Sequence, residues 1–88
     1  MHSTSLAKQL GSLIRHLRLE ARMSQEEFAH RCGLHRTYIG SIERGEKTVT
    51  VETANKIAQA LGIPLSQIFL QLERLEAERK IQNDNHRS

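Results

Sequence analysis

The 88-residue chain has one cysteine, one proline, three aromatic residues and no tryptophan. A single cysteine, Cys32, excludes an internal disulfide framework and a Cys-x-x-Cys zinc site. Aromatic residues make up 3%, which is low for a β-sandwich. No apolar run approaches the ~20 residues of a membrane span, and the start of the chain lacks a signal-peptide core. These absences predict a helical protein of the cytoplasm with no membrane segment.

Length and charge limit the function further. A chain this short forms one hydrophobic core and buries only about 60–65% of its unfolded surface. A deep catalytic cleft between two lobes is therefore excluded, and a small binding module is favoured. The formal net charge is +3, and the positive excess lies within residues 1–72. Such an excess permits nucleic-acid binding without proving it.

Apolar residues recur at helical spacing in five segments. The predicted helices cover about 5–21, 25–32, 36–43, 51–61 and a last segment from 65 onward. Ser24 and Glu27 form a capping box, and Gly33 is a typical helix stop. The expected fold class is therefore all-α, a bundle of five helices. We expect residues 1–80 to form one domain and the polar residues 81–88 to form a flexible tail.

The second and third helices, with the tight turn between them, form a helix-turn-helix. Gly33 supplies the positive φ of the turn, and Ala29 is small where the two helices cross. In this motif the second helix of the pair lies in the DNA major groove. The pattern thus points to DNA binding through the third predicted helix.

Several spaced segments resemble the lambda-repressor/Cro-type helix-turn-helix of the XRE family. They are Ser24-Gln25-Glu26-Glu27-Phe28-Ala29, Gly33, Thr37-Tyr38-Ile39 and Ile42-Glu43-Arg44-Gly45. The resemblance covers about residues 9–70, and the stretch 34–44 is similar to small dimeric controller proteins of restriction–modification systems. It implies a lambda-repressor-like bundle and a sequence-specific transcriptional regulator that binds double-stranded DNA as a homodimer.

The resemblance also assigns residues to the DNA. Base contacts fall on His35, Arg36, Thr37 and Ser41, and backbone contacts on Gln25, Tyr38, Arg44 and Lys47. The chemistry of Arg36 agrees, because a guanidinium donates two hydrogen bonds to guanine O6 and N7. The backbone contacts have simpler alternatives: packing for Tyr38, a favourable charge at a helix C-terminus for Arg44 and solubility for Lys47.

Four positions depart from expectation or stand apart from DNA. His35 occupies the N-cap of the third helix, where Ser, Thr, Asn or Asp are better. Gly40 lies inside that helix, either to allow close approach to DNA or as tolerated drift, and Gly11 is expected to weaken the first helix. Glu43 is expected to pair with a nearby arginine, namely Arg15, Arg18 or Arg22.

The fifth helix carries a long apolar stripe. Leu65, Ile68 and Phe69 are expected to complete the monomer core. Leu72 and Leu75 lie further along, and we expect them in a two-fold dimer interface; the alternative is that they only extend the helix.

The sequence holds no candidate catalytic, metal or cofactor site. The five histidines lack a shared metal spacing, and no nucleophile–base set is visible. Cys32 is expected to be a small core residue, with a redox sensor as the alternative. An alternative function is an antitoxin- or phage-type repressor whose main partner is another protein, held by the C-terminal helix and tail from Glu73 to Ser88.

Overall fold

The computed structural model describes the backbone of residues 5–86 and the side chains of residues 5–80. Five α-helices follow one another: α1 Leu6–Glu20, α2 Gln25–Cys32, α3 Arg36–Glu43, α4 Val51–Leu61 and α5 Leu65–His86. No strand occurs in that range. The expected all-α, five-helix fold is confirmed. No helix within the described part of the chain is long and apolar enough to cross a membrane.

The end of α5 differs from the predicted domain boundary. Its backbone stays helical to His86, past the boundary expected at Lys80. Residues 87 and 88 lie outside the described residues, and the flexible tail from 81 to 88 stays a prediction. With 22 residues, α5 is about 33 Å long at a rise of ~1.5 Å per residue.

Local chemistry fixes where the helices begin. The hydroxyls of Ser5, Ser24 and Thr50 each accept a hydrogen bond from the backbone N–H three residues later, at 3.2, 3.0 and 3.0 Å. Each bond satisfies a first-turn donor that has no partner within the helix. This explains why the helix starts could be placed from the sequence.

One hydrophobic core joins all five helices. Its buried members are Leu10, Leu13, Ile14, Met23, Phe28, Ala29, Cys32, Ile39, Ile42, Ile57, Ala58, Ile68 and Leu72. Full burial of a large apolar side chain stabilises the fold by about 1.5–3 kcal/mol. The expected core position of Cys32 is confirmed, since its side chain is 5% exposed.

Gly11 lies where α1 touches α3. A Cβ at this position would overlap the carbonyl oxygen of Ile42 and stand 2.9 Å from that of Glu43. Both neighbours are backbone atoms, so no side-chain rotation can relieve the overlap. The prediction that Gly11 only weakens α1 was incomplete, because the close contact between α1 and α3 requires glycine.

The apolar stripe of α5 faces the core differently than predicted. Ile68 and Leu72, one turn apart, are 0% and 6% exposed and belong to the core. Phe69 is 37% exposed, so the prediction that it completes the core is wrong. The burial of Leu72 leaves little of its side chain for a dimer interface, whereas Leu75 remains 39% exposed. The four-residue step from Ile68 to Leu72 sets the inward face and turns Phe69 away from it.

Candidate nucleic-acid interface

The helix-turn-helix is built from α2, a short turn and α3. Gly33 ends α2 with φ +70°, and the N–H of Leu34 donates to the carbonyl of Ala29 at 2.9 Å. Ala29 is 2% exposed, which fits the small residue predicted at the crossing of the two helices. Leu34 packs against the core and holds the turn in place. The geometry leaves the first turn of α3 on the surface.

That first turn presents three exposed polar residues in a row, His35, Arg36 and Thr37. His35 is the N-cap, and its Nδ1 accepts a hydrogen bond from the N–H of Thr37 at 3.1 Å. The His35 ring therefore caps α3, a role for which Ser, Thr, Asn or Asp is usually preferred. Since Nδ1 is the acceptor, the ring proton of a neutral His35 lies on Nε2, which becomes a donor available to a base.

Ser41 does not share this exposure. Its side chain stands one turn after Thr37, yet the residue is only 9% exposed. The guanidinium of Arg44 lies over it, with Nη2 donating to Ser41 Oγ at 3.5 Å, a weak hydrogen bond. The sequence placed Ser41 on the open face with Thr37, but in this conformation it is covered.

A buried ion pair holds α3 against α1. Arg18 donates from Nε to Glu43 Oε2 at 2.7 Å and from Nη2 to Glu43 Oε1 at 3.0 Å. Arg18 also donates from Nη1 to the carbonyl of Met23 at 2.9 Å. The predicted pairing of Glu43 with an arginine is confirmed, and Arg18 is the partner.

Gln25 extends this network to α2. Its Nε2 donates to Glu43 Oε1 at 3.0 Å, so one carboxylate joins α1, α2 and α3. The side chain of Gln25 was expected on a DNA phosphate, but its amide already has a protein partner. The free backbone N–H groups at the start of α2 remain the donors suited to a phosphate.

A second ion pair lies at the surface, after α3. Arg44 donates from Nε to Glu46 Oε2 at 3.0 Å and from Nη2 to Glu46 Oε1 at 3.1 Å. The hydrogen bond and the positive charge of Arg44 hold the pKa of Glu46 below its usual range, and Lys47 lowers it further. The same hydrogen bond and the negative charge of Glu46 raise the pKa of Arg44. Both groups are therefore charged at neutral pH.

Gly40 makes room for that arginine. A Cβ at this position would stand 3.1 Å from Arg44 Nη1 and 3.7 Å from Gln25 Oε1. The sequence left close approach to DNA and tolerated drift as alternatives. In the structure, the space above Gly40 is occupied by the Arg44 guanidinium.

The remaining predicted backbone contacts differ in exposure. Tyr38 is half-buried and packs against the core, so part of its ring is available to a partner. Lys47 is exposed beyond the end of α3.

Burial raises the pKa of the Cys32 thiol to about 11, which keeps it protonated and a poor nucleophile at neutral pH. Among the described residues, no group of three or more His, Cys, Asp or Glu side chains could hold a metal ion.

Comparison with known proteins agrees with this geometry. The family model described as helix-turn-helix matches residues 14–68, which runs from α1 to α5. The chain belongs to the helix-turn-helix family.

Two relatives of this helix-turn-helix protein are named control proteins. C.BamHI of Bacillus amyloliquefaciens is 48% identical over 54 residues, which cover 60% of this chain and 67% of that protein. C.MunI of Mycoplasma sp is 40% identical over 67 residues, which cover 75% of this chain and 90% of that protein.

Solved structures point the same way. The restriction–modification controller protein C.AhdI from Aeromonas hydrophila has a TM-score of 0.68 and 36% identity, covering 72% of this chain and 94% of that one. A nucleoprotein complex of C.Esp1396I has a TM-score of 0.74 and 30% identity, covering 82% and 94%. This helix-turn-helix protein is a DNA-binding regulator.

Sequence reasoning missed one charged residue of the candidate interface. Glu46 was given no role, although it holds the arginine assigned to the DNA backbone. The available signal was a pair of opposite charges on either side of Gly45.

Proposed function

We propose that the protein is a cytoplasmic, sequence-specific transcriptional regulator that binds operator half-sites as a homodimer. It acts as a controller-type autoregulator of a restriction–modification system. The observation that carries the proposal is the exposed first turn of α3, seated on a buried polar network. The names of the relatives C.BamHI and C.MunI support the controller function.

Base recognition belongs to the first turn of α3. Arg36 is exposed, so its guanidinium is free to reach the major-groove edge of a guanine. Thr37 offers its methyl group to a thymine, and His35 offers Nε2–H to a purine acceptor. A bidentate arginine contact discriminates against a wrong base by about 1–3 kcal/mol.

Phosphate contacts flank this turn. Arg44 and Lys47 lie beyond the end of α3, and the N-terminus of α2 starts at Gln25. Cations and free backbone N–H groups position the protein on DNA without reading its sequence. Tyr38 reaches the sugar–phosphate backbone with the exposed part of its ring. Ser41 contributes to base recognition only when Arg44 moves off it.

The homodimer uses the exposed apolar residues of α5. Phe69, Leu70 and Leu75 are 37%, 47% and 39% exposed and line a groove between α5 and α1. Leu6, 55% exposed, borders a second apolar hollow that shares Phe69. To read two half-sites, a two-fold homodimer has to hold its α3 helices about one helical turn apart, roughly 34–36 Å.

Selection from a random duplex library tests sequence recognition. The full chain at near-physiological salt should enrich an inverted repeat whose half-site centres lie about one helical turn apart. Salt-sensitive binding with no enriched sequence would contradict a specific regulator. It would redirect the search to a protein partner on α5, as in an antitoxin- or phage-type repressor.

Sedimentation of single variants tests the dimer surface. Leu75→Glu should shift the protein toward monomer, because a carboxylate would be buried in the interface. Leu19→Glu is the matched control, since Leu19 is 47% exposed on α1 and does not line the α5 groove. Equal behaviour of the two variants would remove α5 from the interface.

A further inference from the structure

Arg44, assigned to the DNA backbone, is already bound to a carboxylate in the free protein. Both contacts to Glu46 are of hydrogen-bond length, at 3.0 and 3.1 Å, and use two nitrogens of the guanidinium fork. Such a fork matches a phosphate group as well as it matches a carboxylate. Glu46 and a DNA phosphate are therefore alternative ligands for the same face of Arg44.

Glu46 lies among the charged residues of the candidate DNA interface, so its charge acts where a phosphate would bind. Its charge interacts with Arg44 and also with Lys47, the two cations that flank α3. Both side chains of the pair are more than half exposed, at 58% for Arg44 and 56% for Glu46. A carboxylate in this place repels an approaching phosphate, and nothing about the pair is needed to fill the core.

We propose that Glu46 competes with DNA phosphate for Arg44, so that binding exchanges one ion pair for another. The inference rests on the proposed function. In the free protein, Arg44 lies on Glu46 and covers Ser41. On DNA, the guanidinium moves to a phosphate, Glu46 is released to solvent and Ser41 is uncovered beside the bases.

The exchange has a characteristic salt dependence. Each phosphate neutralised by a free cation contributes about −0.9 to the slope of log K against log salt concentration, because condensed counterions are released. Arg44 contributes less in the wild type, since the released Glu46 takes up a cation in return. Removing the charge of Glu46 therefore restores the full contribution of Arg44.

A double-mutant cycle on the full chain tests the exchange. Wild type, Glu46→Gln, Arg44→Ala and the double variant are titrated with one fixed duplex at several salt concentrations, using fluorescence anisotropy. Glu46→Gln should tighten binding by about two- to fivefold, the range of an exposed ion pair. It should also steepen the salt slope by up to about 0.9. In the Arg44→Ala background, the same change should have much less effect.

The Glu52→Gln variant and the Arg44→Ala background together separate the exchange from general charge repulsion. Glu52→Gln removes one exposed carboxylate from the first turn of α4 and should change the slope less than Glu46→Gln. An equal effect of Glu46→Gln with and without Arg44 would overturn the exchange. Because Arg44 and Glu46 are exposed, circular dichroism should show unchanged helix content in every variant.

The proposed function fails in a different way. Lys47→Ala should reduce the salt slope of the wild-type protein by about one. A response to Lys47→Ala with no coupling between Arg44 and Glu46 overturns the exchange alone. Failure of every protein in the series, wild type included, to bind the duplex overturns the DNA-binding function and the exchange together.

Discussion

Glu43 accepts two hydrogen bonds from the guanidinium of Arg18, at 2.7 and 3.0 Å, across the contact between α3 and α1. The side chains of Arg18 and Glu43 are 7% and 2% exposed. An ion pair so deeply buried must satisfy itself, because water cannot replace either partner. The pair therefore ties α3 to α1 in a defined position.

Breaking this pair on one side should therefore destabilise the protein severely. Glu43→Leu leaves the Arg18 charge buried and unpaired, and we expect a loss of about 3–5 kcal/mol in the free energy of unfolding. The double variant Arg18→Met/Glu43→Leu removes both charges and should recover most of that loss. Urea denaturation followed by circular dichroism measures both. A double variant no more stable than the single one would contradict this account.

Two glycines in helices should respond oppositely to alanine. Gly11→Ala places a Cβ against the carbonyl oxygens of α3, and should cost about 1–3 kcal/mol, as overpacking does. Gly40→Ala meets only the tips of the Arg44 and Gln25 side chains, so we expect a gain of up to ~1 kcal/mol from helix propensity. Thermal unfolding of the two variants beside wild type distinguishes these signs.

Arg22 holds a backbone conformation that side chains disfavour. Its φ is +61°, the one positive φ of a non-glycine residue in the described range, just after the C-cap Ala21. Arg22→Gly should raise the free energy of unfolding by about 1 kcal/mol through relief of this strain. Ala21→Gly is the matched control, because Ala21 has a right-handed conformation and glycine there should destabilise the protein.

The Cys32 thiol should make the fold sensitive to alkaline pH. Burial raises its pKa from 9.0 to about 11. The unfolded chain therefore releases this proton at lower pH than the folded protein. The contribution of the protonated Cys32 thiol to the free energy of unfolding is complete below about pH 9. It is lost as the pH rises toward 11. Urea denaturation between those pH values should show a steeper loss for wild type than for Cys32→Ala. Parallel losses would remove Cys32 as the cause.

Substitution of a base-contacting residue and of a phosphate-contacting residue should have different effects on DNA binding. Arg36→Ala should relax the preference at one symmetric base pair, at a cost of about 1–3 kcal/mol on the preferred sequence. Lys47→Ala should weaken binding to all sequences alike. Titration of the selected operator and of singly substituted duplexes compares the two. A uniform loss for Arg36→Ala on every duplex would argue against direct recognition by this residue.

The parts of the fold that follow from neighbouring residues were predictable. Ser24 caps the start of α2 by accepting a hydrogen bond from the N–H of Glu27, and Gly33 ends the same helix. Both effects act within a few residues, so the helix-turn-helix could be placed from the sequence. Packing across the fold was harder to foresee. Gly11 is required by Ile42, which lies far along the chain and meets it only in the folded protein.

The inward face of α5 shows a further limit. Ile68, Phe69 and Leu72 are all apolar, and the pattern permits more than one rotation of the helix about its axis. The contacts with α1 and α4 select the rotation that buries Ile68 and Leu72. In the candidate site, the exposure of Arg36 was foreseeable, whereas the cover that Arg44 places over Ser41 depends on a charge two residues further on.

The network of Arg18, Glu43 and Gln25 has an evolutionary consequence. It ties α1, α2 and α3 together from beneath, with none of the exposed residues of the first turn of α3 among its members. Changes at Arg36 or Thr37 leave these bonds intact. A lineage can therefore acquire a new operator by replacing a few surface side chains while the same scaffold is inherited unaltered. Rapid divergence of recognition is compatible with slow divergence of the fold.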